Sequence, residues 1–278
     1  MKLQVFQSWW GMGNLGRPGR PEWSFEENLQ KIAEAGFEGV EFCFEDLAFV
    51  QRMVPLLKGL NLKCSCIAFP ETVDELKPIL ERVKEFGATH INIQPMPMPE
   101  TVEACKPYLL GCQQLADDAG VQVFFETHRD RMTTDLIFTL HLIDAVPGIS
   151  LTADLSHFLV GREFPYPVSE QNHNLIRRIL ARTGAYHGRV ASREQAQVQI
   201  SFPHNKIWLD LFMQWWEEGM RMWREKAAPD DVLTFVTELG PPTYAMTGPD
   251  GKELSDRWEE AIQMKDMVRA RWAQLEKA

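Results

Sequence analysis

The feature that most constrains this chain is a regular alternation. Short β-prone stretches recur eight times, each followed by a segment whose apolar residues fall at helical spacing. Strands are predicted over 2–7, 37–44, 61–68, 89–94, 121–127, 149–153, 184–190 and 232–237. The intervening stretches carry helix punctuation. Ser24 with Glu27 is a capping-box signature, followed by Leu29, Ile32 and Ala33 on one face and Gly36 as a stop. A second capping box is predicted at Thr72 and Glu75, ahead of Leu76, Ile79, Leu80 and Val83, with Gly87 as the stop. Further helices are expected over 47–58, up to Ala119, and over 134–145, 170–182, 208–226 and 254–275. Three prolines sit inside these patterns: Pro55 should disturb its helix, Pro78 should kink its helix or mark a late start, and Pro107 should break the helix ending at Ala119.

Strict β–α alternation predicts a parallel sheet. Eight repeats in 278 residues fit a single-domain α/β chain, a (β/α)8 TIM barrel over residues 1–278, since about 250 residues is typical of that fold. An open doubly wound sheet is the competitor, but it lacks its glycine fingerprint here. The glycines after the first strand, from Trp9 through Gly16 and on to Pro21, invite a phosphate-loop reading; they lack the Gly-Lys-Ser/Thr ending that such a loop needs.

Charge and cysteine usage narrow the function. A net charge of −10 leans against a nucleic-acid partner. The five cysteines, Cys43, Cys64, Cys66, Cys105 and Cys112, have no zinc-finger spacing and read as small apolar residues kept reduced in the cytoplasm. The N-terminus has no apolar signal region, and no apolar run approaches the ~20 residues that span a bilayer. A soluble cytoplasmic protein with no membrane partner is expected.

The chemistry gathers at strand ends. The stretch 121–129 finishes in Glu126 and His128, which are two apart and so point the same way on a strand. The sixth, seventh and eighth strands deliver Asp154, His187 and Glu238 at or near their C-terminal ends. In a barrel these neighbouring ends surround one mouth, where active sites sit. Three carboxylates and one imidazole converging there suit a fairly hard divalent ion, Mn2+ or Mg2+ first, with Co2+ or Zn2+ as alternatives. Each residue alone would read as a surface carboxylate or a hydrogen-bonded His; four in a cluster must be paired or must bind a cation.

The segments Phe125-Glu126-Thr127-His128-Arg129, Thr152-Ala153-Asp154-Leu155-Ser156-His157, Tyr186-His187-Gly188-Arg189-Val190 and Thr237-Glu238 resemble motifs of the xylose-isomerase-like barrels. That group includes sugar and sugar-phosphate isomerases and epimerases, hydroxypyruvate isomerases, inosose dehydratases and endonuclease IV-type repair enzymes. The resemblance runs from Gly39-Val40-Glu41 to the eighth strand. It implies that Glu126, Asp154, His187 and Glu238 bind the metal, that Glu126 and Glu238 also move the proton, and that His157 polarises substrate. It further implies an Arg on a substrate oxygen: Arg193, six residues after the metal His, or Arg189, which shares the strand face of His187.

Other residues carry weaker expectations. Trp9 and Trp10 could stack on a sugar ring or pack at the rim. Gln94 is placed to hydrogen-bond a hydroxyl, and His128 to meet substrate beside Glu126. Arg129 and Arg131 could meet a phosphate or stay solvated. Glu41 is a carboxylate inside an otherwise apolar strand, either buried and hydrogen-bonded or part of the lower rim. Trp208, Trp215, Trp216 and Trp223 read as core, or as a homo-oligomer interface. The expected activity is metal-dependent isomerisation or epimerisation of a small polyhydroxylated substrate: a sugar, a sugar phosphate or a hydroxy-keto acid. An inosose-type dehydratase using the same metal site is the nearest alternative. An endonuclease IV-like nuclease and a metal-free sugar-binding barrel are the others.

Overall fold

The structure, a computed structural model, describes residues 1–15 and 22–277. The glycine-rich run from Gly16 to Pro21 therefore lies outside the described residues, and with it part of the stretch read as a phosphate loop. Eight parallel strands close into a barrel in sequence order: β1 (Lys2–Ser8), β2 (Gly39–Cys43), β3 (Lys63–Ala68), β4 (Ile91–Ile93), β5 (Val123–Glu126), β6 (Leu151–Ala153), β7 (Thr183–Gly188) and β8 (Val232–Thr237). Closure is carried by β1 and β8, paired from Lys2↔Val232 to Gln7↔Thr237. Between β6 and β7 the register shifts, with Leu151 opposite Thr183 but Thr152 opposite Ala185. Gly184 is the residue left over, and a Cβ there would lie 2.2 Å from the Phe124 ring. Such a bulge re-aims the side chains that follow it, and His187 is one of them.

The helices are α1 (Phe25–Glu34), α2 (Leu47–Gly59), α3 (Leu76–Phe86), α4 (Val102–Ala119), α5 (Leu136–Ala145), α6 (Ser156–Gly161), α7 (Glu170–Leu180), α8 (Lys206–Arg224) and α9 (Arg257–Leu275). The Ser24–Glu27 capping box forms in both directions. At α3 the expected Thr72 box does not form. Glu75 itself is the N-cap residue, with no side-chain cap bond, and its carboxylate accepts the amide of Glu71 at 2.8 Å. Pro78 then falls in the first turn, where the missing amide had no helical partner to lose. α2 and α4 run unbroken through Pro55 and Pro107. An internal proline costs about 3 kcal/mol; α2 buries Val50, Met53, Val54 and Leu57, each worth about 1.5–3 kcal/mol, so packing wins. Gly87 and Gly120 close α3 and α4 in the left-handed region at φ 77° and 67°, where a Cβ would be strained.

Tyr186 of β7 and Phe235 of β8 stack at 6.1 Å, and Trp216 of α8 meets Phe235 edge-on at 5.0 Å. Trp215 and Trp216 are fully buried. α9 closes the layer over β1 and β8. Its buried Arg257 donates to the carbonyls of Gly11, Gly13 and Leu239, tying the turn after β1 to the end of β8. Among the described residues no helix is long and apolar enough to cross a membrane.

Candidate metal centre and active site

Parallel strands in a barrel point the same way, so β5, β7 and β8 deliver the side chains at or just past their C-terminal ends to one end of the barrel. Glu126 ends β5, His187 is the penultimate residue of β7, and Glu238 follows β8. The structure brings these three together: one donor atom from each lies within 4.8 Å of the others. His187 Nδ1 is 2.9 Å from Glu238 Oε2 and 3.3 Å from Glu126 Oε1. Its other nitrogen, Nε2, is 2.8 Å from Glu41 Oε1, reached across the barrel from β2. Asn92 Nδ2 also lies 3.2 Å from Nε2, so both ring nitrogens of His187 face polar groups of the site. Ser65 Oγ donates to Glu41 Oε2 at 3.3 Å, and Asn92 Nδ2 donates to Glu126 Oε2 at 2.7 Å.

These groups are out of water. Glu126, Asp154 and His187 are 0% exposed, Glu41 2% and Glu238 4%. Burial works to lower the basicity of His187, but Glu238, Glu126 and Glu41 outweigh it and raise its pKa well above the ordinary value. Burial would raise Glu238; His187 and Arg189 prevail and bring it to about 2. The centre is thus built to hold positive charge. Glu126 Oε1 and His187 Nδ1, both buried, have no hydrogen-bond partner among the described residues. Two carboxylate donors and one imidazole, with orphaned atoms turned toward one another, fit a divalent cation of the Mg2+–Mn2+ kind.

Asp154 sits one step away. Its Oδ1 accepts from the Ser156 amide at 2.9 Å and from Ser156 Oγ at 2.5 Å. Its Oδ2 faces Arg189 Nε and His157 Nε2, both at 3.3 Å. Burial opposes its ionisation, but His157 and Arg189 hold the carboxyl well below its usual range. Arg189 is itself fully buried, with Nη2 2.6 Å from Glu238 Oε2, and its guanidinium lies over the Tyr244 ring at 4.4 Å. Burial would lower its pKa; Glu238 and Asp154 raise it, and the charge is permanent. The His128 and His157 rings lie 4.1 Å apart between centroids and tilted by 55°, and burial lowers the pKa of each.

Above the centre opens a cavity of about 600 Å³. Its lining combines aromatic residues, Trp9, Phe42, Phe49 and Phe69, with polar ones, Glu41, Gln94, His128, Arg131, Arg189 and Glu238. Gln94 Oε1 accepts from Arg131 Nε at 3.0 Å, which aims that guanidinium along the wall. Arg129 lies instead over Tyr244 at 4.7 Å. Cys43 also borders the cavity, but burial pushes its thiol up to about 11, so it stays protonated. Of the two arginine candidates, Arg189 is in the site. Arg193 is 45% exposed on the surface, beside Glu163 and Glu194 at 3.6 Å. Asn92 was not anticipated; its signal was a polar residue between two apolar ones, Ile91 and Ile93, on a short strand.

Comparison with known proteins bears on the fold. No protein-family model matches the sequence, and a search of curated proteins gives no match. Among solved structures, a xylose isomerase-like TIM barrel protein from Mycobacterium smegmatis in complex with magnesium is similar at TM-score 0.63 and 13% identity, over 96% of this chain and 97% of that one. The probable 3-DHS dehydratase AsbF of Bacillus anthracis is similar at TM-score 0.57 and 15% identity, over 96% and 99%. The 3-keto-D-glucoside 4-epimerase YcjR of E. coli matches at TM-score 0.57 and 13% identity, over 97% and 100%. The chain therefore has the fold of the xylose-isomerase-like TIM barrels, the group its strand-end motifs resemble.

Proposed function

We propose that this protein is a divalent-metal-dependent isomerase or epimerase of a small sugar, sugar phosphate or hydroxy-keto acid. One observation carries the reading: two buried carboxylates, Glu126 and Glu238, flank Nδ1 of His187 beneath a cavity of substrate size. Glu126, His187 and Glu238 would hold the metal, with Asp154 an expected further ligand; Mn2+ is the preferred ion. When bound, such an ion acts as a Lewis acid on substrate oxygens and acidifies the C–H between a hydroxyl and a carbonyl.

The chain's own residues do the rest. Glu238, ionised at neutral pH, accepts the proton from carbon, and Glu126 is the second carboxylate that returns it. Return to the opposite face epimerises; return to the neighbouring carbon isomerises. Arg189, fixed by Glu238 and Asp154, offers its remaining N–H groups to the enediolate oxygen, and His157 and His128 supply neutral donors beside it. Trp9 and the other aromatic lining residues cover the apolar face of the substrate and exclude water, while Gln94 and Arg131 meet its distal oxygens.

A dehydratase is the second reading, favoured by the likeness to the dehydratase structure. It uses the same abstraction and then expels a β-hydroxyl. Both readings are tested together by incubating the Mn2+-loaded protein with ketoses, ketose phosphates and hydroxypyruvate in deuterated water. Deuterium at the carbon next to the carbonyl is expected in one of them, without loss of water. Loss of water would select the dehydratase. Glu238→Gln should abolish exchange while keeping the fold; exchange at the wild-type rate in that variant removes Glu238 from proton transfer. All five cysteines are free, which supports a cytoplasmic setting.

A further inference from the structure

The lining of the cavity changes character from strand to strand. Gln94, His128, Arg189 and Glu238 follow or end β4, β5, β7 and β8. Trp9, Phe49, Ile67 and Phe69 belong to the arc of β1 to β3: just past β1, in the first turn of α2, within β3 and just past it. Strand alternation accounts for the apolar arc. Glu41 and Ser65 are register partners joined by a hydrogen bond. Two residues further along, the partners are Cys43 and Ile67, and two beyond Ile67 comes Phe69. A polar rung level with His187 is thus followed, toward the mouth, by apolar ones.

These rings are held in place by one another. Trp9 packs on Phe25 at 4.8 Å and on Phe49 at 6.2 Å between ring centroids, and Phe49 meets Phe42 at 5.9 Å. Trp9, Phe49, Ile67 and Phe69 are still only partly buried, so they keep apolar surface toward the cavity they line. Proton transfer between Glu238, substrate and Glu126 needs none of that surface. At about 600 Å³ the cavity is in the range that encloses a drug-sized ligand, more than one sugar ring fills.

Charge argues against an anionic tail on the substrate. Among the described lining residues the cations are Arg131 and Arg189, and the anions are Glu41, Glu45, Asp46 and Glu238. Arg189 is committed to Glu238 and Asp154. Arg131 donates to Gln94 Oε1 at 3.0 Å and to the Asp130 carbonyl at 2.6 Å. The N-terminus of α2 is also at the cavity, and such a terminus is a ready anion site. Asp46 fills it: its Oδ1 accepts the amides of Ala48 at 2.9 Å and Phe49 at 3.2 Å. A phosphate is recognised by charge-assisted donors; here it would meet the carboxylates of Glu45 and Asp46.

We propose that the substrate joins its hydroxy-carbonyl head to an uncharged, flat apolar group, an aromatic ring, which lies against Trp9, Phe49, Ile67 and Phe69. The inference rests on the proposed function for the head, and it selects among the substrates named there: an aryl-substituted sugar in place of a sugar phosphate or a hydroxy-keto acid. Phe49 and Phe69 are then specificity-determining residues that offer faces and edges to the ring, and Asp46 is the residue that turns a phosphate away.

The test uses probes with one head and different tails: the benzyl ether, the methyl ether and the phosphate ester at either primary alcohol of D-fructose, D-psicose, D-tagatose and D-sorbose. Affinity for the Mn2+-loaded protein is read by titration calorimetry, and carbon-bound deuterium uptake is followed separately in deuterated water. In at least one matched set the benzyl ether should bind about tenfold or more tightly than the methyl ether, the scale on which an apolar pocket discriminates, and the phosphate ester should bind most weakly. Phe69→Ala should bring the benzyl-to-methyl ratio toward one, and Phe69→Leu, which keeps bulk without the flat ring, should retain part of it. Asp46→Asn keeps a capping oxygen and removes the charge, so it should narrow the gap to the phosphate ester. Equal affinity for benzyl and methyl ethers in every set overturns the inference, as does a phosphate ester that binds tightest. A benzyl preference undiminished in both Phe69 variants overturns the placement of the ring. Deuterium uptake without a benzyl preference leaves the proposed function standing alone. A benzyl preference without uptake in any probe sustains the apolar subsite and removes the isomerase reading. Far-UV circular dichroism checks each fold, and Phe69→Leu carries the test if Phe69→Ala does not fold.

Discussion

Glu41 lines the cavity and lies against His187 from the opposite side to Glu126 and Glu238. Its carboxylate is 2.8 Å from Nε2, where an outer partner would orient a metal-binding imidazole. Glu41→Gln removes that charge; the expected outcome is a 10–100-fold loss of metal affinity with the fold retained, as such outer partners usually show, read by equilibrium dialysis. His90 offers a separate test of burial. It is 3% exposed with Nε2 unpartnered, and burial, followed by the charge of His187, lowers its pKa to about 3 from 6.5. Because the unfolded chain takes up a proton at His90 that the folded one refuses, stability is full above pH 6.5 and declines as pH falls toward 3. Between pH 7 and pH 5 the loss is about 2 kcal/mol. In urea titrations at both pH values, His90→Leu should shrink the difference by that amount; an unchanged difference would show that His90 is not its source. Some of these roles could be read from the chain and some could not. Glu41 stood out as a charge inside an apolar strand, and Arg189 as sharing the face of His187. Arg193 follows the strand end, where the path of a loop decides which way a side chain goes, and spacing alone could not place it. Asn92 carries no charge, and a polar residue between two apolar ones on a strand is ordinary alternation, so its signal was too weak to mark it as the partner of Glu126.

Strands and helices were legible from periodicity, and their ends less so. The ladder keeps only Ile91–Ile93 of the fourth predicted strand and Leu151–Ala153 of the sixth, because β-propensity continues past the point where a neighbour exists to pair with. The short helix Ser156–Gly161 was missed; at six residues it is too brief to show a helical period. It nonetheless positions Ser156 and His157 against Asp154. β7 gives the clearest element-scale prediction. Gly188 stands between His187 and Arg189, and a Cβ there would lie 2.3 Å from Phe235 and 2.8 Å from Met264 of α9. Gly188→Ala forces the strand inward or the rings outward, a change of the overpacking kind that costs about 1–3 kcal/mol. A lower melting temperature together with weakened metal binding is expected. Unaltered metal affinity in a destabilised variant would mean that the strand had absorbed the methyl without moving its functional neighbours.

At the scale of the molecule, alternation and length were enough to give the barrel, because eight βα units have few other ways to bury both faces of a parallel sheet. The centre was legible in outline for the same reason: a closed ring turns sequence-distant strand ends into neighbours. A cation bound there binds only the folded state, so at a hundred times its dissociation constant it adds about 2.7 kcal/mol. Melting in excess Mn2+ should exceed melting in EDTA by several degrees; coincident curves would argue against a bound ion. The pairing of β1 with β8, with Arg257 lashing their turns together, has a further consequence. The basin at the strand ends does not exist in any N-terminal fragment. A ribosome must translate through Thr237 before the first strand, already paired with β2, gains its second neighbour and the ring shuts, so Glu126, His187 and Glu238 meet only after synthesis has passed the last of them.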